Sequence, residues 1–209
     1  LIFYKDNKEI SFDENKKNIT RSYLEFVKEP KFLQALTSAT LAYVVMAFLM
    51  TATPISMHII HNLSLEKTGL VIQFHVLSMF LPSLFTGNLI KKFGYSKMMY
   101  LGVFFYILTI LISLFEPTFF NYLFGLIFLG IGWNFLFVSG TSLLVTTYKP
   151  EEKFKAQGFN DLVVFSATAL SSLSAGILIS LTSWKTLNLL CIPFLILIVV
   201  SIINADRSN

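Results

Sequence analysis

The sequence predicts an all-α membrane protein with six transmembrane helices. The prediction rests on the apolar composition, on the confinement of charge to short stretches, and on the length of the charge-free runs between them. Of the 209 residues, 55% are hydrophobic and 13% are charged, whereas soluble domains carry about 25% charged residues. This composition excludes a soluble enzyme, a disordered chain and a nucleic-acid-binding protein.

Charged residues concentrate at the start of the chain, where 13 of them fall within the first 31 positions. Six charge-free runs of at least 18 residues follow. A bilayer core of roughly 30 Å needs about 20 helical residues, so each run is long enough to cross it. The predicted spans are 33–57, 69–90, 98–115, 119–146, 162–183 and 186–205.

The basic residues predict the orientation in the lipid bilayer. With six crossings, 14 Lys and Arg residues fall on one side and two, Lys67 and Lys185, on the other. The positive-inside rule makes the richer side cytoplasmic, so both termini are expected inside. Residues 1–31 are then a cytoplasmic linker, 32–205 the helix bundle and 206–209 a cytoplasmic tail. We expect the linker to be solvated, with one amphipathic turn near its end, and its apolar first four residues suggest the end of an earlier helix.

Small residues predict how the spans pack, because they let helices approach closely in lipid. The fifth span has Ala167, Ser171 and Ala175 at four-residue spacing, so we expect it to pack tightly on other helices. The sixth span has no such stripe and is expected to face lipid. Spans one, two, four and five hold most polar residues and are expected to line a cavity, with three and six as scaffold.

The segment after the second span has the spacing of a known loop motif. Gly87, Lys92, Gly94 and Lys97 match it, while Lys91 stands where the motif has an acidic residue. Together with residues 50–57, 132–137 and 156–161, this segment resembles the C-terminal half of a major facilitator superfamily transporter, in an uncharacterised bacterial branch.

The resemblance implies twelve helices in two bundles, alternating access to a small-molecule substrate, and often proton coupling. It also implies a bacterial inner-membrane location and a preceding six-helix bundle of the same protein that this chain lacks. A self-sufficient six-helix channel or small transporter that oligomerises is the alternative.

Polar and aromatic residues inside the spans are the candidates for substrate or cavity contact. Asn134 must be satisfied by another helix, by water or by substrate, because hydrocarbon offers no hydrogen bonds. Trp133 is suited either to stacking on a planar substrate or to filling the core. The candidate cavity residues are Tyr43, Thr51, Thr53, Trp133, Asn134 and Thr141.

Asp161 and His75 are the candidates for proton coupling. An intramembrane carboxylate is costly and functional by default, but at the start of the fifth span Asp161 is also an ordinary helix cap, with Asn160 as a turn residue. His75 changes charge near neutral pH, yet also suits neutral, hydrogen-bonded packing.

We expect no metal, no cofactor and no enzymatic activity. His58 and His61 have a metal-like spacing but no clustered carboxylates near them, and no phosphate-binding GxxxxGK[ST] loop occurs. No nucleophile and base are paired at matching depth, which argues against an intramembrane enzyme.

Overall fold

Long helices run back and forth through the chain, joined by short turns. A computed structural model describes residues 21–208, and the first 20 residues of the predicted linker lie outside this range. Its α-helices are α1 Tyr23–Lys28, α2 Pro30–Pro54, α3 Leu65–Phe80, α4 Ser83–Phe93, α5 Tyr95–Ser113, α6 Phe119–Leu144, α7 Lys153–Leu181, α8 Trp184–Leu190 and α9 Ile192–Arg207.

Helices of the predicted length and composition occupy all six predicted positions. Five helical segments, α8 and α9 counted together as one, are long and apolar enough to span a membrane, and the α3–α4 pair, bent by 41°, makes a sixth if it is one span. The turns after α4 and after α6, and the end of α9, lie at the same end as the start of α2. We call this the basic end, because it carries Lys31, Lys92, Lys149 and Arg207.

Prolines mark the two irregular places in the first two spans. Pro54 has no N–H to donate to the preceding turn, and the six residues after it, Ile55–Ile60, form a π-helical turn. In the second span, α3 ends at Phe80 and α4 begins just after Pro82. The π-helical turn after Pro54 changes the hydrogen bonding of one stretch of helix. The break at Pro82 bends the second span by 41°.

Helix α6 lies at the centre and packs against α2, α3 and α5. Three glycines allow this, each facing a different neighbour. A Cβ atom on Gly130 would lie 2.8 Å from a backbone oxygen of α3, one on Gly132 2.9 Å from α5, and one on Gly140 2.9 Å from α2. Helix α6 therefore approaches three helices at backbone contact distance.

Side-chain hydroxyls join the helices by hydrogen bonds to backbone oxygens. Tyr106 of α5 donates to Ala42 O at 2.7 Å, and Ser38 of α2 donates to Leu136 O at 2.9 Å. Ser171 of α7 donates to Val44 O at 2.7 Å. Since a polar group in hydrocarbon needs a partner, these bonds fix α2 against α5, α6 and α7.

The fifth span is the least buried of the five apolar segments that are each long enough to cross a membrane, and its predicted packing is seen on one face only. Only 22% of its most apolar window is buried. Ser171 and Ala175 do face α2, but Phe165, Leu173 and Ile177 on other faces are exposed. The small-residue stripe therefore predicts one contact face and not burial of the whole helix.

Helix α1 lies where the sequence predicts an amphipathic turn, and it packs against the basic end of the bundle. Ser22 and Glu25 form a capping box at its start, and the Phe26 ring is fully buried. Arg21 donates to both carboxylate oxygens of Glu152, at 3.0 and 2.8 Å. We call the Arg21–Glu152 pair the clamp, since it ties α1 to the turn before α7.

Three further contacts hold the clamp in place. Arg21 also donates to Thr147 O at 2.7 Å and forms an ion pair with Glu29. The backbone N–H of Lys149 donates to Glu152 at 3.1 Å. Because Arg21 holds the charged form of Glu152, the pKa of this carboxyl falls to about 2, and the carboxylate in turn raises the pKa of Arg21.

Candidate functional site

Aromatic rings from four helices meet about halfway along the spans. The Tyr43 ring of α2 lies 5.1 Å from the Trp133 ring and 4.8 Å from the Phe137 ring of α6, both edge-on. The Phe165 ring of α7 lies 6.2 Å from Tyr43. These four residues, with Phe80 of α3 at 6.0 Å from Trp133, form what we call the aromatic cluster.

The aromatic cluster has a buried side and an open side. Trp133 is 4% exposed, stacks on Phe137 at 5.0 Å, and its indole N–H has no partner among the described residues. Phe165 and Phe80 are 61% and 59% exposed. The open side offers flat apolar rings to a ligand, and Trp133 supports them from behind.

The predicted threonines of the first span do not join the aromatic cluster. Thr53 is buried and donates to Leu49 O of its own helix at 2.8 Å. Thr51 is exposed. Among the candidate cavity residues, the structure therefore brings Tyr43 and Trp133 together and leaves these two apart.

Asn134 of α6 binds the break between α3 and α4. Its side-chain nitrogen donates to Met79 O at 2.7 Å and to Ser83 Oγ at 2.6 Å, and its oxygen accepts from Thr86 at 2.6 Å. Asn134 is fully buried. The hydrogen bonds of Asn134 are therefore made by another span, and not by water or substrate.

Asp161 lies two turns inside α7, which corrects the capping interpretation. Helix α7 begins at Lys153, eight residues earlier, because the charged stretch before the apolar run is also helical. Asp161 is exposed, and Asn160, expected in a turn, is a buried helical residue that donates to Asp161 at 3.1 Å.

A cavity of about 360 Å³ surrounds this carboxylate, between the ends of α6 and α7. Thr141, Gln157, Asn160 and Asp161 line it. The side-chain oxygen of Asn160 is buried and has no partner among the described residues. The cavity is therefore rich in hydrogen-bond acceptors around one negative charge.

His75 lies inside the contact between α3 and α6. It is fully buried, and its Nδ1–H donates to Leu126 O at 2.8 Å. The Nε2 atom has no partner among the described residues. His75 is therefore a hydrogen-bonded packing residue between α3 and α6, and its side chain is not accessible to solvent.

The loop-motif residues form the turn between α4 and α5. Gly94 has φ +87°, in the left-handed region that glycine adopts at little cost. Gly87 is in α4, and Lys92 and Lys97 are exposed on either side of the turn. Lys91, where the motif has an acid, is also exposed, and it forms no ion pair with residues 21–208.

His58 and His61 are held by backbone oxygens at the other end of α2. His58 contacts Leu63 O at 2.9 Å, and His61 contacts Ser56 O at 2.8 Å. Within residues 21–208, no group of three or more His, Cys, Asp or Glu side chains is placed to hold a metal ion.

The family model described as Major Facilitator Superfamily matches residues 35–208, which is most of the chain. The chain belongs to the major facilitator superfamily. It is 39% identical over 179 residues to the riboflavin transporter RfnT of Brucella anthropi, a match that covers 86% of this chain and 45% of that protein.

Two further superfamily relatives come from Bacillus subtilis, and both are named as uncharacterised transporters. YdeG is 33% identical over 156 residues, covering 74% of this chain and 36% of YdeG. YddS is 32% identical over 152 residues, covering 71% of this chain and 34% of YddS. No solved structure matches the chain.

The chain thus spans less than half the length of the superfamily transporters that it matches. Its helical architecture is that of one half of the superfamily fold, and its apolar spans make it an integral membrane protein.

Sequence reasoning missed Phe80, Phe165 and Gln157. Phe80 and Phe165 are two of 22 phenylalanines, and nothing in their spacing distinguishes a cluster residue from one that faces lipid. Gln157 precedes the apolar run, in residues expected to form a loop. Only the early start of α7 places Gln157 beside Asp161.

Proposed function

We propose that this chain is the C-terminal half of a secondary active transporter that moves a small organic solute by alternating access. A second six-helix bundle, encoded before it, would cover the open sides of α2, α3, α6 and α7. The length of the relatives and the low burial of α7 support this arrangement. By the positive-inside rule, the basic end faces the cytoplasm of a bacterial inner membrane.

The substrate proposed is riboflavin or a similar flat heteroaromatic compound. The observation that carries this proposal is the aromatic cluster, whose open rings Phe165 and Phe80 and partly open Tyr43 are suited to stacking. The relative RfnT is named as a riboflavin transporter. Stacking of a heteroaromatic base on one ring contributes about 1–3 kcal/mol.

Uptake of labelled riboflavin into vesicles containing the full-length protein tests the substrate. Phe165→Ala is expected to weaken the apparent affinity about ten-fold, since it removes one stacking ring. Phe104→Ala is the matched control, because Phe104 is 51% exposed on α5, outside the aromatic cluster. Equal effects of the two variants, or no riboflavin transport at all, would refute this substrate assignment.

Protonation of Asp161 or His75 is proposed to couple transport to a proton gradient. The structure favours Asp161 for this role, because it is exposed beside a cavity, whereas His75 is sealed between helices. Asp161→Asn is expected to abolish the dependence of uptake on the pH gradient while binding persists. An unchanged gradient dependence in the double variant Asp161→Asn, His75→Ala would reject both residues.

A further inference from the structure

A second, larger cavity is a groove between α2 and α9. Its volume is about 720 Å³, and Val163 is its lining residue from α7. Aliphatic side chains dominate the walls, with Leu33, Leu36 and Leu41 on α2 and Leu197 and Val200 on α9. None of these residues belongs to the aromatic cluster or to the cavity at Asp161.

The lining of the groove changes from apolar to polar along α9. Leu197, Val200, Asn204 and Arg207 follow one another on one face of this helix, at three- and four-residue spacing. The first two are apolar, while Asn204 and Arg207 lie at the basic end and are exposed. Neither the Asn204 side chain nor the Arg207 side chain has a hydrogen-bond or ion-pair partner among residues 21–208.

Asp206, the neighbouring acid, is engaged elsewhere. It accepts a hydrogen bond of 2.7 Å from Ser96 at the start of α5. The groove lining contains no carboxylate, and Lys31 in the first turn of α2 adds a second exposed cation at the same end. The mouth of the groove is therefore complementary to a negative charge.

The length of the groove matches one leaflet of a bilayer. Leu197 and Arg207 are ten residues apart, which at 1.5 Å per residue is about 15 Å along the axis. The hydrocarbon core is roughly 30 Å thick, so one leaflet contributes about half of it. A ligand that fills the groove would therefore be apolar along a length of about one leaflet and polar where it meets Asn204 and Arg207 at the basic end.

We propose that this groove binds one anionic phospholipid, with an acyl chain along the aliphatic walls and the phosphate at Arg207 and Asn204. Each basic residue near a membrane surface contributes about 1 kcal/mol to the attraction of anionic lipid. The site rests on the membrane placement of the bundle and is independent of the transported substrate.

Native mass spectrometry of the full-length protein in detergent tests this site. Phosphatidylglycerol and phosphatidylcholine with identical acyl chains are titrated separately, and the retained lipid is counted. We expect one phosphatidylglycerol to bind more tightly than phosphatidylcholine. Arg207→Gln should weaken it about five-fold, while Lys185→Gln, an exposed lysine at the opposite end, should leave it unchanged.

A second variant tests the apolar wall of the groove separately from the charge of Arg207. Val200 is 55% exposed, so Val200→Trp should fill the groove without disturbing the core and should exclude both lipids. It also keeps the site testable if Arg207→Gln fails to fold. Equal binding of the two lipids, or unchanged binding in Arg207→Gln or Val200→Trp, would overturn the proposal. Full competition by soluble glycerol phosphate would do so as well, because it would show a phosphate site without an acyl chain.

Discussion

Single polar residues hold this bundle together, and Asn134 is the clearest example. An apolar residue on α6 would leave the backbone oxygen of Met79 unpaired at the point where α3 stops. The asparagine instead satisfies this oxygen together with the hydroxyls of Ser83 and Thr86. The break in the second span is thus stabilised by a residue on another span.

Replacing Asn134 should destabilise the fold. Asn134→Ala removes three hydrogen bonds and leaves buried polar groups without partners, at a cost of about 1–3 kcal/mol. Thermal unfolding in detergent should show a lower midpoint for Asn134→Ala than for the wild type. Asn88→Ala, on the exposed face of α4, serves as the control and should keep the wild-type midpoint; equal midpoints for both variants would contradict the role of Asn134.

Gly130 gives a second test at the level of one residue. The added methyl of Gly130→Ala would lie 2.0 Å from Ser78 Oγ and 2.8 Å from His75 O. The serine can rotate but the backbone oxygen cannot, so α3 and α6 must separate. Overpacking of this kind costs about 1–3 kcal/mol, and the yield of folded protein in size-exclusion chromatography should fall.

Gly69→Ala is the matched control for this substitution. Gly69 lies in α3, and a Cβ atom there has nothing within 4 Å. The added methyl should be neutral or slightly stabilising, because alanine favours a helix by about 1 kcal/mol over glycine. If Gly130→Ala folded as well as Gly69→Ala, the close contact between α3 and α6 would be wrong.

At the level of elements, the clamp links α1 to the turn before α7. The carboxyl of Glu152 titrates at about 2 in the folded protein, below its ordinary 4.5. A depressed acid contributes stability that is complete above 4.5 and is lost as the pH falls towards 2. The attachment of α1 should therefore persist at neutral pH and weaken only in strong acid.

A spin label measures this attachment. Leu24 is 74% exposed on α1, so a label there should report motion of α1 without disturbing its packing. We expect an immobile label from pH 7 to about 4 and growing mobility below that. Glu152→Gln should release α1 already at pH 7, whereas Glu151→Gln, at the exposed neighbouring position, should not. A label that is equally immobile in both variants would contradict the clamp.

The helical elements were largely predictable, because charge and length decide where a chain crosses a bilayer. Charge-free runs located every span, but α7 starts nine residues before its predicted span, since charged residues such as Lys153 and Lys155 continue the helix. Phe80 and Phe165 could not be assigned to a face. A membrane helix is apolar all round, so its hydrophobic pattern does not identify the side that meets other helices.

At the scale of the whole molecule, α2 and α6 form the centre of the half-fold and α7 is largely open. The open sides carry both sites of the proposed function, namely the aromatic cluster and the cavity at Asp161. The proposed lipid groove lies between α2 and α9. Substrate and lipid would therefore contact different parts of one bundle, joined by α2.

Chemical labelling of intact bacterial cells tests the membrane arrangement most directly. Cys191 is the only cysteine in the sequence and is buried, so Cys191→Ser provides a background for Lys92→Cys and Lys185→Cys, both at exposed positions. A membrane-impermeant maleimide should label Lys185→Cys in intact cells, and Lys92→Cys only after the cells are opened. Labelling of Lys92→Cys from outside intact cells would contradict a bundle whose basic end faces the cytoplasm.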